Sequence, residues 1–352
     1  MVVMFCLEML PARHGDALWL EYGEPENPHR VLVDGGPGSQ STRGLMTDRL
    51  RARHDLDLLV VTHIDADHIT GIIDVIEDPA VPLSPRDIWF NGWQHLPTDL
   101  LGARQGEALG GAIRRRGFPW NLSFAGEAVM VPDEGELPVI SLPGGLTLAL
   151  LSPTGRQLAE LRPVWKREVE KAGLVPGLEA ERAAAQPDLL GDAPIDPSKL
   201  AEEPYEEDRS EANGASIAML AEFEGKTLLL TGDAHARVLA EGLRRLTRQR
   251  GVDAIRLDAF KLAHHGSKHN LSPEVLDLVD CELFLFSTNG DIFRHPDPVA
   301  VSRIVVERED RALAFNYRVQ TTERWDSPRL RRRFRYRTVF PGSEMAGLVV
   351  QL

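Results

Sequence analysis

Thr62-His63-Ile64-Asp65-Ala66-Asp67-His68 follows directly on the hydrophobic run Leu56–Val61 and precedes Ile69–Ile76, whose apolar residues recur at helical spacing. The three pieces read as strand, polar loop and helix. Four potential metal ligands, His63, Asp65, Asp67 and His68, fall within six positions, and the strand ahead of them holds the loop stiff. Alternate residues of an extended loop point the same way, so His63, Asp65 and Asp67 converge while His68 faces a second metal. Imidazole mixed with carboxylate suits Zn²⁺, Mn²⁺ or Fe, whereas an all-oxygen set would suit Mg²⁺ or Ca²⁺. The plainer alternative is a helix-capping loop, with Asp67 near the helix N-terminus and the histidines merely exposed.

Working outward, the same strand-to-loop pattern recurs. Thr227–Leu230 runs into Thr231-Gly232-Asp233, Ala259–Leu262 into His264-His265-Gly266-Ser267, and Leu283–Ser287 into Thr288-Asn289-Gly290. At Asp233 a glycine permits close backbone approach, and a carboxylate there can bridge two cations. One of His264 and His265 is expected as a ligand, with His265 preferred. His95 beside Trp93 is a remoter candidate, better read as structural.

Three apolar runs at the start, Val2–Met9, Ala17–Tyr22 and Val31–Val33, are separated by turn-forming residues and read as a meander of strands. Val139–Leu142 and Leu146–Leu151 read as a hairpin joined at Pro143-Gly144-Gly145, and a helix is expected near Leu100–Arg115. Residues 154–212, rich in Arg, Glu, Ala and Pro, read as a charged insertion within a single domain spanning 1–352. The insertion contains a helix over Leu158–Ala172 and an acidic run from Glu202 to Glu211, a surface feature or a lid. Two halves of strands with intervening helices suggest two mixed sheets with helices outside.

The 352 residues are 43% hydrophobic, enough for a sizeable core, and the net charge of -13 opposes general attraction to polyanions. Two cysteines, Cys6 and Cys281, are too few for a disulfide framework or thiolate metal site, which fits a reducing cytoplasm. No run approaches the roughly 20 apolar residues of a membrane span, and the N-terminus lacks a signal-peptide pattern. A soluble cytoplasmic protein without a membrane partner is expected.

The order Asp34-Gly35-Gly36, Thr62–His68, Thr231-Gly232-Asp233 and His264-His265-Gly266-Ser267 resembles the metallo-β-lactamase-like hydrolase superfamily. His14-Gly15-Asp16-Ala17, Asn213-Gly214-Ala215-Ser216 and Gly290…His295-Pro296 are similar to its ComEC-type DNA-uptake branch and the soluble relatives of that branch, including choline-phosphoesterases. The resemblance implies an α/β (α+β) fold, a four-layer αββα sandwich with a dinuclear site of Zn or Mn, or of Fe. It assigns His63 and Asp65 to the first metal. Asp67, His68 and His265, with His264 as alternative, go to the second, and Asp233 bridges; Asp16 and Asp34 would buttress the ligands. The family pattern has histidine at Asp65 and another before the Asp233 strand. Asn213 is the nearest polar residue to that second position and a weak ligand, with Ser216 and Asp208 as alternatives.

Such a site would lower the pKa of a shared water toward about 7, with Asp67 orienting the nucleophile and His264 protonating the leaving group. A small-molecule or nucleic-acid phosphodiester is the expected substrate. Arg329–Arg337, read as a strand, would place Arg333, Arg335 and Arg337 on one face as a phosphate-tracking stripe, or as charged protection of a sheet edge. Ser267, Lys268, Asn289 and His295 are further candidate substrate contacts. The alternatives are ester, thioester or lactam hydrolysis, and a non-catalytic binding module with a degenerate first site.

Overall fold

The computed structural model describes residues 3–96, 104–171, 195–343 and 346–352. Its first sheet has six strands, in the order Leu348–Gln351, Met4–Met9, Leu18–Gly23, His29–Val33, Leu58–Val60 and Ile88–Trp89. The first four are antiparallel to one another, and the last three run parallel. The expected opening meander is therefore present. It is closed on its outer side by the C-terminal strand, with Leu7 opposite Val350.

Period-two alternation divides this sheet between two apolar layers. Phe5, Leu7, Met9, Leu18, Leu20, Val31, Val33, Leu58 and Val60 belong to the core shared with the second sheet. Their neighbours Trp19, Leu32, Leu59 and Val61 face the other way, against an outer helical layer containing Met46, Ile69, Ile72, Leu109 and Ile113. A sheet apolar on both faces needs cover on both, which a layered α/β architecture supplies.

The second sheet has eight strands, ordered Arg337–Val339, Ala312–Phe315, Leu283–Phe286, Ala259–Lys261, Lys226–Leu230, Ala218–Phe223, Thr147–Ser152 and Val139–Ser141. The first five are parallel and the last four antiparallel, the strand Lys226–Leu230 being shared. Helix Ala236–Arg250 covers its outer face through Leu239, Leu243 and Leu246. The fold is an α/β sandwich, two mixed sheets face to face with helices outside, as the sequence led us to expect.

The helix expected from Leu100 is described as Arg104–Arg116, its first residues lying outside the described ones. Of the insertion, residues 172–194 lie outside the described residues. Before them, helix Gly155–Lys171 buries Leu158, Leu161 and Trp165 in the outer layer of the first sheet. After them, the acidic run lies against the loop that follows His265. The Asp208 amide donates to the His269 carbonyl at 3.1 Å, and the Tyr205 hydroxyl to the same oxygen at 3.0 Å.

The strand expected at 329–337 is instead helix Pro328–Phe334, followed by Arg335 in a left-handed conformation and the short strand Arg337–Val339. Ser327 at the N-cap position and Pro328 in the first turn favour a helix start, and the missing proline N–H costs nothing there. Among the described residues no helix is long and apolar enough to cross a membrane.

Candidate metal centre

Where the strand Leu58–Val60 ends, Asp34 takes hold of the loop. Its carboxylate accepts the Thr62 amide at 2.8 Å and the Thr62 hydroxyl at 2.7 Å, and meets His68 Nδ1 at 2.8 Å. Asp34 is fully buried and in the left-handed region, which an aspartate tolerates better than most side chains. With Nδ1–H of His68 committed to Asp34, its Nε2 carries the lone pair. His63 Nδ1 lies 3.0 Å from Thr62 Oγ1, whose proton already goes to Asp34, so His63 too presents Nε2 as an acceptor.

The second sheet supplies the facing donors. Asp233 follows Gly232, whose φ of +48° lets the chain turn sharply beside Thr62, and the Asp233 amide is held by Ser216 Oγ at 3.1 Å. His265 Nδ1 bonds the Ser287 carbonyl at 2.9 Å, again leaving Nε2 free. The Nε2 atoms of His63, His68 and His265, and Oδ1 of Asp233, are buried without any hydrogen-bond partner.

Those atoms meet. His68 Nε2 is 3.3 Å from Asp233 Oδ1, while His63 and His265 place Nε2 at 3.8 and 3.9 Å from Asp233 Oδ2. Asp67 Oδ2 is 3.4 Å from His265 Nε2 and 4.0 Å from His68 Nε2, and Asp65 Oδ2 is 3.7 Å from His63 Nε2. Four buried lone-pair atoms aimed at one space, with carboxylates between them, would be costly unless a cation satisfied them. The donor set fits a divalent transition metal pair. Burial works against charge here, yet the carboxylates of Asp233, Asp34 and Asp67 hold the His68 pKa well above its ordinary value, so the same field that favours a proton on Nε2 would favour a metal cation in its place. Burial likewise opposes ionised Asp233, and the surrounding His68, His264 and His265 outweigh it, keeping the acid well below the usual carboxylate range.

Residues 26–157 match the family model described as the metallo-beta-lactamase superfamily. Over those residues, fewer than half of the chain, it is similar to that superfamily. No curated protein matches the sequence. Among solved structures, a mutant of the beta-hydroxylase CmlA aligns at 12% identity over 99% of this chain and 54% of that one, with a TM-score of 0.41. CmlA described as a diiron beta-hydroxylase from Streptomyces venezuelae aligns at 13% identity over 100% of this chain and 54% of that one, also with a TM-score of 0.41. The chain spans about half the length of the solved structures it matches.

Around this candidate centre the remaining expected residues divide. Asp16 lies behind His265, with Oδ1 3.4 Å from His265 Nδ1 and Oδ2 2.7 Å from the buried ammonium of Lys261. Asp16, His68, Asp233 and His265 each bring a donor atom within 4.8 Å of the others. Because Asp16 is already claimed by Lys261 and adjoins the far side of the ring, it forms the floor of the site. Gly15 packs directly on the ligand loop, and a Cβ there would stand 1.8 Å from the Asp67 carbonyl oxygen. His295 lies beside His264, ring centres 5.2 Å apart, and half-exposed Phe293 stacks on it at the mouth. Ser267 is buried and accepts the His269 amide, Lys268 pairs with Glu203 at 3.6 Å, and Asn289 bonds Asp291.

The arginines are elsewhere. Arg335 pairs with Glu309 and Asp310, which precede the strand Ala312–Phe315, and Arg333 reaches Ser198. The metal-side loops leave the C-terminal ends of the parallel strands, so Arg335 and its partners occupy the opposite end of the sheet. Helical geometry also breaks the expected one-faced alternation of Arg333, Arg335 and Arg337. His95 meets the Gly92 amide at 3.1 Å and packs edge-on to Trp120. Burial lowers its pKa to about 4, and it serves the fold. Lys261, Asn270 and Phe293 carry no motif of their own, and sequence reasoning passes over them.

Proposed function

We propose that this chain is a metal-dependent hydrolase acting on a small phosphodiester. The observation that carries the hydrolase reading is the set of buried, partnerless Nε2 atoms of His63, His68 and His265 converging on Asp233. Asp67, His68 and His265 would hold one cation and His63 and Asp65 the other, with Asp233 between them. When bound, such a pair acidifies water and polarises an oxygen of the substrate.

The chain's own residues do the rest. Asp34, through Thr62 and His68, and Ser287, through His265, fix which ring nitrogens face the site. Asp67 orients the attacking water. Three carboxylates make the centre hard, which suits Mn²⁺, Fe or Zn²⁺ and phosphoryl oxygen. The phosphodiester choice is further supported by the segments similar to the ComEC-type branch. Gly15 packs on Asp67, Asn213 lies 3.3 Å from His264, and His295 packs edge-on to the His264 ring, so all three border the donors.

The test is metal content followed by turnover of bis-p-nitrophenyl phosphate, an ester and a lactam reporter. Metal-dependent phosphodiester cleavage is expected, falling by about 10² or more in Asp67→Ala and disappearing in Asp233→Ala. Turnover of the ester or lactam alone overturns the substrate class; fewer than one tightly held metal per chain overturns the hydrolase.

A further inference from the structure

The first metal position lacks the histidine that the family pattern places before the Asp233 strand, where this chain has Asn213. We infer that His264 supplies the missing donor from the other side of the site, and that Asp208 and Asn270 hold it there for that purpose.

His264 and His265 both have left-handed backbones, with φ of +47° and +55°. Two consecutive non-glycine residues in that region are strained and persist only where the surroundings impose them. The effect of the turn is that both rings reach Asp233 Oδ2 through Nε2, at 3.8 Å for His264 and 3.9 Å for His265. His63 Nε2 is also 3.8 Å from that oxygen. His265 then continues toward Asp67, whereas His264 does not share that side. Its Nδ1 is 3.1 Å from Asn270 Oδ1 and 3.4 Å from Asp208 Oδ2. Asp208 is itself fixed by the Asn213 and Asn270 amides at 2.6 and 3.0 Å and by the Ser210 backbone at 2.9 Å. A carboxylate and an amide behind one ring nitrogen set the tautomer and aim the other, as they do for metal-binding histidines generally. Asn213, which precedes the Asp233 strand where the family pattern has histidine, lies behind the His264 ring and helps anchor the substitute.

The inference rests on the proposed metal pair but not on the substrate, so its test reads metal rather than turnover. Metal-free protein is titrated with Mn²⁺ and Zn²⁺ by calorimetry, with circular dichroism and thermal melts to show that the variants fold. The wild type is expected to take two equivalents and His264→Ala one. Asp208→Asn is expected to weaken one equivalent by about 10- to 100-fold. In His264→Cys loaded with Co²⁺, a thiolate-to-cobalt charge-transfer band is expected that the wild type lacks. The native thiols do not confuse it: Cys281 is buried in the Val279–Cys281 strand, and Cys6 is in the Met4–Met9 strand. A wild type that binds a single equivalent overturns the inference. So does His264→Ala with two unchanged equivalents, or a cobalt-filled His264→Cys without the band. If stoichiometry falls to one in His264→Ala while no phosphodiester is cleaved, the inference stands and the substrate assignment falls.

Discussion

Lys261→Met isolates the ion pair beneath the metal site. Lys261 Nζ and Asp16 Oδ2 are 2.7 Å apart, and both side chains are 1% exposed. Burial alone would raise the Asp16 carboxyl; the Lys261 ammonium together with His265 and His68 outweighs it and holds the acid well below the usual carboxylate range. At that separation the attraction is about 6 kcal/mol with an effective dielectric constant of about 20. Removing both ions from water costs several kcal/mol each, so the intact pair is close to neutral for stability. The asymmetry appears on deleting one partner. Lys261→Met strands a buried carboxylate and is expected to cost about 3 to 5 kcal/mol. The double variant Lys261→Met/Asp16→Asn, which leaves no buried charge, should recover most of that loss. Urea unfolding of the four proteins of the cycle, in chelator so that metal binding adds nothing, measures the coupling. A Lys261→Met cost below about 1 kcal/mol, or a double variant no more stable than the worse single one, would refute a charged, desolvated pair.

Gly15→Ala adds a methyl where the Asp67 carbonyl leaves no room, so it should lower both stability and metal affinity, read by thermal melts with and without metal. Asp34→Asn weakens the hold on His68 Nδ1 and should reduce metal affinity by about 10- to 100-fold, measured by competition with a chelating dye. Because Arg333 and Arg335 lie at the end of the sheet away from the donors, the double change to Glu should leave small-phosphodiester turnover within about 2-fold; a 10-fold loss, about 1.4 kcal/mol, would place them at the substrate. Burial pushes the thiols up, Cys6 to about 11 and Cys281 to about 12, so at pH 8 both should react with a disulfide reagent far more slowly than free cysteine.

What could be read in advance was what short-range pattern encodes. Leu56–Val61 announces a strand, Ile69–Ile76 a helix, and the four candidate ligands between them need no distant residue to be noticed. Asp233 and His265 were legible because each follows an apolar run that ends in a glycine-containing loop. Arg329–Arg337 misled because alternating arginine and aromatic residues suit a strand, while Ser327-Pro328 just upstream decides for a helix. The Asp16–Lys261 pair joins residues 245 apart in sequence, and nothing local to either marks the other. Asn270 was invisible for the same reason. Its role exists only once the acidic run and the His264 loop have been brought together.

The pairing of Leu348–Gln351 with Met4–Met9 has a consequence for the order of manufacture. On the ribosome the strand Leu18–Gly23 emerges almost at once and can occupy one side of Met4–Met9. Its other side waits for residues made about 340 positions later, roughly 20 to 70 s at ordinary elongation rates. Through that interval a strand bearing Phe5, Leu7 and Met9 has an open row of backbone donors and acceptors, the geometry from which edge-to-edge aggregation starts. Completion of the first sheet therefore trails the synthesis of its Met4–Met9 strand by that interval, and growing chains would need shielding until it happens.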